Sequence, residues 1–217
     1  MEPEVRVEGL LARVGSFTLS VGRLSLRGPG LAVVEGDNGS GKTVLVKSIL
    51  GLVKPSRGRV YLCGLDVTGK PGVAGRCASY MPQNAPLMAA HYPLTPLELL
   101  EYSMRLRGHS FNRDEALRLL AELGLPGEDL ARPMAELAPG ERQKVFAARA
   151  LLAPSKVVFL DEPFSAMDRE GREALARMLL REARRRLVVL VAHSPEGLAG
   201  EVNARVRVEG GRVTAAW

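Results

Sequence analysis

The sequence is poor in cysteine, histidine and aromatic residues. Its 217 residues include two cysteines and three histidines, and 5% are aromatic. Cys63 and Cys77 have no C-x-x-C spacing and no histidine pair nearby, which argues against a zinc site. A disulfide framework is not expected in a chain of this length, so we predict two buried, reduced thiols.

Long apolar runs are also missing. No run approaches the roughly 20 residues that cross a bilayer, and the longest strand-like run extends from Leu187 to Ala192. The first residues, Met1 to Glu4, include two acids and lack the basic and apolar segments of a signal peptide. We therefore expect a chain on the cytosolic side, either free or held against a membrane.

Acidic residues are outnumbered, since the formal net charge is +6 and the isoelectric point is about 9.7. Such a balance suits nucleic acid, an anionic membrane surface or a nucleotide, but it is also ordinary for a solvated surface. The densest basic run, residues 181–186, ends an amphipathic helix pattern, where cations complement the helix dipole. We interpret this run as structural and expect no nucleic-acid partner.

A glycine-rich segment, residues 36–43, reads G-x-x-x-x-G-K-T. An apolar, strand-like run precedes it and a helical pattern follows. The glycines let backbone N–H groups form a nest for phosphate oxygens, and the helix start adds partial positive charge. Lys42 is expected to reach the outer phosphates, and the Thr43 hydroxyl to bind Mg²⁺. The candidate nucleotide-binding residues here are Gly36, Asn38, Gly39, Ser40, Gly41, Lys42, Thr43 and Val44.

A second candidate segment consists of four apolar residues, 157–160, followed by Asp161 and Glu162. A buried parallel strand delivers the residues at its carboxyl end to the crevice where ligands bind. We expect Asp161 to hold Mg²⁺ and Glu162 to orient or deprotonate an attacking water. The alternative is a strand that ends in two acids before a helix, and the upstream phosphate loop makes it the weaker interpretation.

Gln83 and His193 also follow strand-like runs. A glutamine amide can contact both Mg²⁺ and water, and a histidine can hydrogen-bond a γ-phosphate. Either residue alone is common at a strand end. Their significance comes from the parallel-sheet edge that they would share with the phosphate loop.

The apolar periodicity changes along the chain. Alternation predicts β structure over residues 4–35, and residues 66–77 are expected to be loop. Helical spacing begins near Pro96, where Thr95 and Glu98 match the ends of a capping box. Further predicted elements are a helix at 139–152, a strand at 157–160, a helix at 169–186, a strand at 187–192 and a terminal hairpin around 209–212.

Six segments, in order, resemble the motifs of ATP-binding cassette (ABC) ATPases, and the likeness extends from about residue 4 to 214. An unrelated phosphate-loop ATPase or kinase would share the phosphate loop and the carboxylate strand but not the signature-like stretch or the D-loop. The segments are the phosphate loop (36–43), a glutamine loop (80–84), a signature-like stretch (137–143), the carboxylate strand (157–162), a D-loop (165–168, ending in Asp168) and a switch histidine (His193).

The resemblance implies a fold of the α/β class: a phosphate-loop NTPase core of mostly parallel sheet, with an N-terminal antiparallel β subdomain and an inserted α-helical subdomain. Residues 1–217 would form one ABC ATPase domain. The core and β subdomain would take about residues 1–83 and 151–217. The helical subdomain, with the signature, would take about residues 84–150.

The resemblance also implies a function. The chain would be an ATP-binding, Mg²⁺-dependent ATPase subunit that powers a separate permease, peripheral on the cytoplasmic side of the cell membrane. A second ABC ATPase subunit, identical or different, would pair with it head to tail around two ATP molecules. The permease would dock near Gln83. Phe17 would stack on adenine, because Val14 takes the place where many relatives have tyrosine.

The signature-like stretch departs from the family pattern of Leu-Ser-Gly-Gly-Gln. Ala138 removes a hydroxyl, and Pro139 removes a backbone N–H. Gly140 and Glu141 are retained. Proline is tolerated in a helix's first turn, so we expect the helix to survive and its contact with the partner's ATP to be weakened. The subunit would then either pair with a different ATPase or form a weakly closing homodimer.

Two other functions are compatible with parts of the pattern. Soluble ABC ATPases that act on DNA or the ribosome usually carry a coiled coil, zinc modules or two cassettes, whereas here only about ninety residues separate the phosphate loop from the signature. A domain that binds nucleotide without hydrolysis would not need Glu162 and His193. Co-purification with a multi-span membrane protein, rather than with DNA or ribosomes, distinguishes the transporter from the soluble alternative.

Overall fold

The strands of the described residues form one ten-stranded sheet. The computed structural model describes residues 2–125, 127–192 and 197–215. The strands are β1 (Glu4–Val14), β2 (Phe17–Arg27), β3 (Gly30–Glu35), β4 (Arg57–Leu62), β5 (Leu65–Asp66), β6 (Ala78–Met81), β7 (Val157–Asp161), β8 (Leu187–Val191), β9 (Ala204–Glu209) and β10 (Arg212–Ala215).

Helices occupy most of the remaining described chain. Thr95 and Glu98 form the predicted capping box, with the Thr95 N–H donating to Glu98 Oε2 over 2.8 Å. In these same ranges no helix has the length and hydropathy to cross a bilayer. The α-helices are α1 (Lys42–Ile49), α2 (Pro71–Ala74), α3 (Ala85–Met88), α4 (Pro96–Leu106), α5 (Arg113–Glu122), α6 (Pro139–Leu152) and α7 (Arg169–Ala183); 3₁₀ turns span Ala89–His91, Gly127–Ala131, Met134–Glu136 and Ala199–Glu201.

Half of the sheet is parallel and buried on both faces. Strands β9, β3, β8, β7 and β6 lie side by side in that order, and each adjacent pair is parallel. In β3, Leu31 and Val33 pack on one side while Ala32 and Val34 pack on the other. Apolar residues on both faces of a strand are typical of a parallel sheet covered by helices. The carboxyl ends of these strands therefore meet at one edge.

The other half of the sheet is antiparallel. Strand β1 pairs with β2 and β4, and β5 continues this part outward. Strand β10 joins the halves, since it pairs with β9 in an antiparallel hairpin and contacts β2 at Arg212 and Ser20. The predicted fold class is confirmed: a mostly parallel core, an N-terminal antiparallel part and a helical insertion.

The helical insertion lies between β6 and β7. Helices α3 to α6 belong to it, and their apolar residues join those of one sheet face and of α7 in a single hydrophobic cluster. Met104, Leu120 and Phe146 are buried there beside Val158 and Leu190. Helix α1 and the antiparallel strands form the other cluster, on the opposite face. The insertion therefore packs directly on the sheet that carries the site.

Two local predictions are wrong. Residues 66–77, expected to be loop, contain the short helix α2 and the end of β5. Cys63 and Cys77, expected to be reduced, form a disulfide with their Cα atoms 6.6 Å apart. Cys63 follows β4 and Cys77 precedes β6, so only the folding of the segment between them brings the two thiols together.

The basic run at residues 181–186 is structural, as expected, but its main contact is with a different helix. Helix α7 ends at Ala183. Arg186 lies beyond it, buried, and donates to Leu151 O (2.6 Å) and Ala153 O (2.8 Å) at the end of α6. Glu182 pairs with the same guanidinium at 2.8 Å. Arg186 thus caps the carbonyl groups of α6 rather than those of its own helix.

Candidate functional site

A cleft of about 400 Å³ opens at the sheet edge where β3, β6 and β7 end. The sequence had indicated each of its lining residues as part of the nucleotide site. They are Phe17, Asn38, Gly39, Gly41, Lys42, Thr43, Val44, Gln83, Asp161 and Glu162.

Two glycines of the phosphate loop, Gly36 and Gly41, leave no room for a side chain. Gly41 has φ of +111°, and a Cβ there would lie 2.6 Å from Phe17 Cζ. A Cβ on Gly36 would lie 2.2 Å from the carbonyl oxygen of Val208. Lys42 is buried, and its ammonium group donates to the carbonyl oxygens of Gly36 (2.7 Å) and Asp37 (3.1 Å). The lysine therefore lies along the inner side of the loop.

The terminal hairpin supports the loop from behind, a contact that sequence reasoning missed. The Gly211 N–H donates to Ser40 O over 3.0 Å, and Val208 O lies against Gly36 as described. Gly211 follows β9 at the far end of the chain. No local signal marks it as part of the site, apart from the glycine pair that indicated a turn.

Thr43 connects the phosphate loop to the carboxylate strand. Its hydroxyl donates to Asp161 Oδ2 over 2.8 Å, and the Tyr80 hydroxyl donates to the same oxygen over 3.3 Å. Burial, followed by the charge of Asp161, raises the pKa of Tyr80, so this hydroxyl stays protonated as a donor. Tyr80 lies in the glutamine-loop stretch, but the sequence gave it no role.

Asp161 is 1% exposed. Desolvation raises the pKa of its carboxyl group, although hydrogen bonds from Thr43 and Tyr80 and the charges of Lys47 and Lys42 oppose the shift. Its second oxygen, Oδ1, is buried without a hydrogen-bond partner among the described residues. A buried carboxylate oxygen without a donor is a site at which a cation would be stabilised.

Glu162 lies on the cleft wall with an unusual backbone. Its φ is +51°, in the left-handed region that residues other than glycine rarely adopt. The Glu162 N–H donates to Val191 O over 2.9 Å. Gln83, exposed after β6, lines the same cleft. Glu162 and Gln83 therefore share the cleft with the phosphate loop.

Phe17, the candidate for adenine stacking, and Val14, at the position where many relatives have tyrosine, differ in location. Phe17 is half-buried, lines the cleft and touches the phosphate loop at Gly41. Val14 is 45% exposed and is not among the lining residues.

The signature-like residues lie outside this cleft. Ala138 precedes the first turn of α6, which starts at Pro139, and its N–H donates to Glu141 Oε2 over 2.6 Å. Alanine has no side-chain acceptor, so no side chain caps the Gly140 and Glu141 N–H groups. Among the described residues, the helix thus begins with N–H groups that no N-cap side chain binds, and none of the residues 138–141 lines the cleft.

The two other predicted site residues have different outcomes. Asp168 caps α7, accepting from the Gly171 N–H over 3.0 Å, and pairs with the buried Lys144 at 3.2 Å. His193 lies outside the described residues, so its position is not described.

A glycine loop hydrogen-bonded through its threonine to a carboxylate at the end of a nearby parallel strand defines the class of phosphate-loop nucleoside triphosphatases. Comparison with known protein families identifies the family within this class. The family model described as ABC transporter matches residues 23–165. The chain belongs to the ABC transporter family and is a nucleotide-binding domain of it.

Individual relatives agree with this assignment. The cytochrome c biogenesis ATP-binding export protein CcmA of Methylococcus capsulatus is 39% identical over 81% of the chain and 79% of its own length. The thiamine import ATP-binding protein ThiQ of Jannaschia sp. is 34% identical over 85% of the chain and 80% of its own length. Other curated relatives are much longer: the chain spans 8% and 9% of two of them and 42% of a third.

A solved structure supports the fold alone. The ATP-binding cassette MJ0796, a dimer in a post-hydrolysis state with ADP and Pi, superposes with a TM-score of 0.82. It is 21% identical, and the match covers 98% of this chain and 97% of that chain.

The buried charge of Asp161 predicts how stability responds to its removal. Because the pKa is raised, the folded chain holds this proton more tightly than the unfolded chain does, and stability is lost as the pH rises from about 4 through the raised value. Asp161→Asn should therefore raise the Tm at neutral pH, measured by thermal unfolding without nucleotide or metal. The gain should shrink as the pH falls towards about 4.

Asp168→Asn is the matched control, with the opposite sign. The Gly171 N–H and Lys144 lower the pKa of Asp168, so its charge stabilises the fold at neutral pH and this contribution is lost on acidification. Asp168→Asn should lower the Tm at neutral pH. A lower Tm for Asp161→Asn as well would contradict the buried-charge explanation.

Proposed function

We propose that this chain is the ATP-binding and ATP-hydrolysing subunit that powers a separate permease of an ABC transporter. The observation that carries the proposal is the Thr43–Asp161 hydrogen bond, which places a phosphate loop and two carboxylates on one cleft. The chain is one ABC ATPase domain, in which residues from about 84 to 150 form the helical subdomain. The packing of that insertion directly on the sheet face supports a single unit.

The cleft orients ATP by its two ends. The phosphates lie against Gly39, Gly41 and Lys42, where backbone N–H groups and the start of α1 attract negative charge. The adenine stacks on Phe17, which borders the loop at Gly41. Stacking on an aromatic face is worth roughly 1–3 kcal/mol per base.

Mg²⁺ is the proposed cofactor, held by Thr43, Asp161 and Gln83. The unpartnered Oδ1 of Asp161 and the Thr43 hydroxyl are oxygen ligands of the kind that magnesium prefers. Magnesium commonly uses one or two carboxylates plus the substrate's phosphates, so a larger acidic cluster is not required. When bound, it would neutralise charge on the phosphate oxygens.

Glu162 is the proposed base. It follows Asp161 on the cleft wall, so its carboxylate can accept a proton from, or orient, water beside the terminal phosphate. Gln83, which follows β6, is proposed to contact the same water. His193 is proposed to contact the γ-phosphate. Asp168, on the D-loop, is proposed to lie next to the second subunit.

The second half of each site is proposed to come from a partner ABC ATPase, identical or different. The Gly140 and Glu141 N–H groups have no N-cap side chain, neither residue lines the chain's own cleft, and both groups are proposed to contact an ATP held by that partner. Ala138 and Pro139 weaken this contact, because one hydroxyl and one N–H are missing.

The permease is proposed to dock beside Gln83, with the chain peripheral on the cytoplasmic side of the cell membrane. Leu87 and Met88 are 72% and 54% exposed just after the glutamine loop. Exposed large apolar side chains in one short segment are typical of a contact surface. The names of CcmA and ThiQ refer to export and import respectively, so both directions of transport are represented among the relatives.

The assignment of Glu162 is tested by Glu162→Gln. The amide keeps the shape but cannot take a proton, so steady-state ATP hydrolysis should fall by about 10²–10⁴-fold. Binding of a fluorescent ATP analogue should be unchanged. Glu128→Gln, an exposed change in a 3₁₀ turn away from the cleft lining, is the control and should hydrolyse ATP normally. Near-normal hydrolysis by Glu162→Gln would disprove the proposed role.

The adenine assignment is tested by Phe17→Ala against Val14→Ala. Losing the stacking surface should raise the KM for ATP by roughly ten- to a hundredfold, whereas Val14→Ala should leave it unchanged. Because Phe17 also touches the phosphate loop, competitive inhibition by tripolyphosphate, which has no base, serves as the reference. An equal loss of affinity for tripolyphosphate would mean that Phe17 shapes the loop and does not bind adenine.

The weakened signature is tested by restoring both residues in Ala138→Ser, Pro139→Gly. A regained hydrogen bond to phosphate contributes about 1.5–3 kcal/mol, so the ATPase rate of the purified subunit should increase about tenfold or more. Ala135→Ser adds a hydroxyl to the exposed turn before α6 and should not change the rate. No gain in the double variant would refute the idea.

A further inference from the structure

Glu162 needs an external restraint to keep its conformation. A non-glycine residue at φ +51° is strained, and such conformations persist only where surrounding contacts fix them. Its N–H is held by Val191 on β8. The other side of the residue, its carbonyl group, must also be fixed if the carboxylate is to keep facing the cleft.

The carbonyl oxygen of Glu162 is fixed by Gln143 from α6. Gln143 Nε2 donates to Glu162 O over 2.9 Å and also contacts Ser165 Oγ at 3.2 Å. Ser165 Oγ donates to the same carbonyl over 3.1 Å. Gln143 is 1% exposed, so water cannot replace its amide. Without it, the carbonyl would keep only the Ser165 hydroxyl and the more distant Ser165 N–H, at 3.4 Å, and would lose its shortest hydrogen bond.

The rest of this helix face also packs on the segment after β7. A Cβ on Gly140 would lie 2.6 Å from Ala166 O, and Lys144 pairs with Asp168. Residues 140, 143 and 144 are spaced i, i+3 and i+4, so they share one face of α6. At these three positions the start of α6 therefore contacts the segment 162–168.

We propose that Gln143 is a positioning residue for ATP hydrolysis, acting through the backbone of Glu162. Its amide holds Glu162 in the left-handed conformation that directs the carboxylate to the cleft. Gln143 is the last residue of the signature-like stretch 137–143 and lies two residues beyond Glu141 on α6. The same hydrogen bonds thus fix the chain's own base relative to the helix end that it offers to a partner's ATP. This inference rests on the proposed role of Glu162.

The test uses Gln143→Met, which keeps the length of the side chain and removes the donor. Glu162 should lose the shortest hydrogen bond to its carbonyl and shift, so kcat should fall by about ten- to a hundredfold, as expected when a reacting group is misplaced by about 1 Å. The KM for ATP and the affinity for a fluorescent ATP analogue should be unchanged, because no phosphate-loop contact is altered. Unchanged kcat in Gln143→Met would overturn the proposal.

Val145→Ala is the control that distinguishes positioning of Glu162 from general destabilisation of α6. It removes buried methyl groups from the same helix. It should lower the Tm while leaving kcat within about twofold. If Val145→Ala reduces kcat as much as Gln143→Met does, general loosening of α6 explains both effects and the proposal fails. A loss of ATP affinity in Gln143→Met would also count against it.

The link to Glu162 is tested in a double-mutant cycle measured by single-turnover hydrolysis. In a Glu162→Gln background, Gln143→Met should cause little further loss, because the group that it positions is already absent. A further loss as large as in the wild type would overturn the proposal. Normal hydrolysis by Glu162→Gln alone would instead refute the proposed role of Glu162, and no hydrolysis by the wild type would refute the proposed function, so these failures are distinguishable.

Discussion

The hydrogen bond from Thr43 to Asp161 is the contact on which the rest of the site depends. It spans 118 residues of sequence at 2.8 Å, and it exists because β3, β8 and β7 are adjacent and parallel. Val34 and Asp161 both pair with Val191 of the central strand. A slip of one residue in either pairing would turn the carboxylate to the other face of the sheet. The register of three apolar strands therefore decides whether a nucleotide site forms.

The same sheet edge concentrates groups that oppose folding. Asp161 is a buried carboxylate, Glu162 has a strained backbone, and Gly36 and Gly41 need conformations that only glycine adopts easily. Such features are typical of functional sites, where local preference is sacrificed and the surrounding core compensates. Here the compensation is the parallel half of the sheet, whose strands are apolar on both faces. The arrangement is stable as a whole although its edge is not locally optimal.

Helix α6 relates two surfaces that serve different ATP molecules in the proposed dimer. Its first turn begins with N–H groups that no N-cap side chain binds, and Gln143, further along the helix, hydrogen-bonds the segment that carries Glu162. A displacement of the helix start would therefore reach the chain's own cleft through a few hydrogen bonds and close contacts. In this view, the changes at Ala138 and Pro139 affect what the chain offers to a partner and leave its own phosphate loop intact.

Local patterns in the sequence were sufficient for the phosphate loop, the capping box at Thr95 and the paired carboxylates, and the order of the motifs carried the family resemblance that implied the fold class. Each depends on residues close together in the chain, whose spacing sets backbone geometry and burial. Several contacts were decided only by the tertiary structure: Tyr80 on Asp161, Gly211 on Ser40, Gln143 on Glu162, Arg186 on the end of α6, and the pairing of Cys63 with Cys77. The cysteine pair is 14 residues apart in sequence and Gln143 is 19 residues from Glu162, while the other partners are 33 or more residues apart. Strand order and helix packing brought all of them together, and neither can be read from the spacing of neighbouring residues.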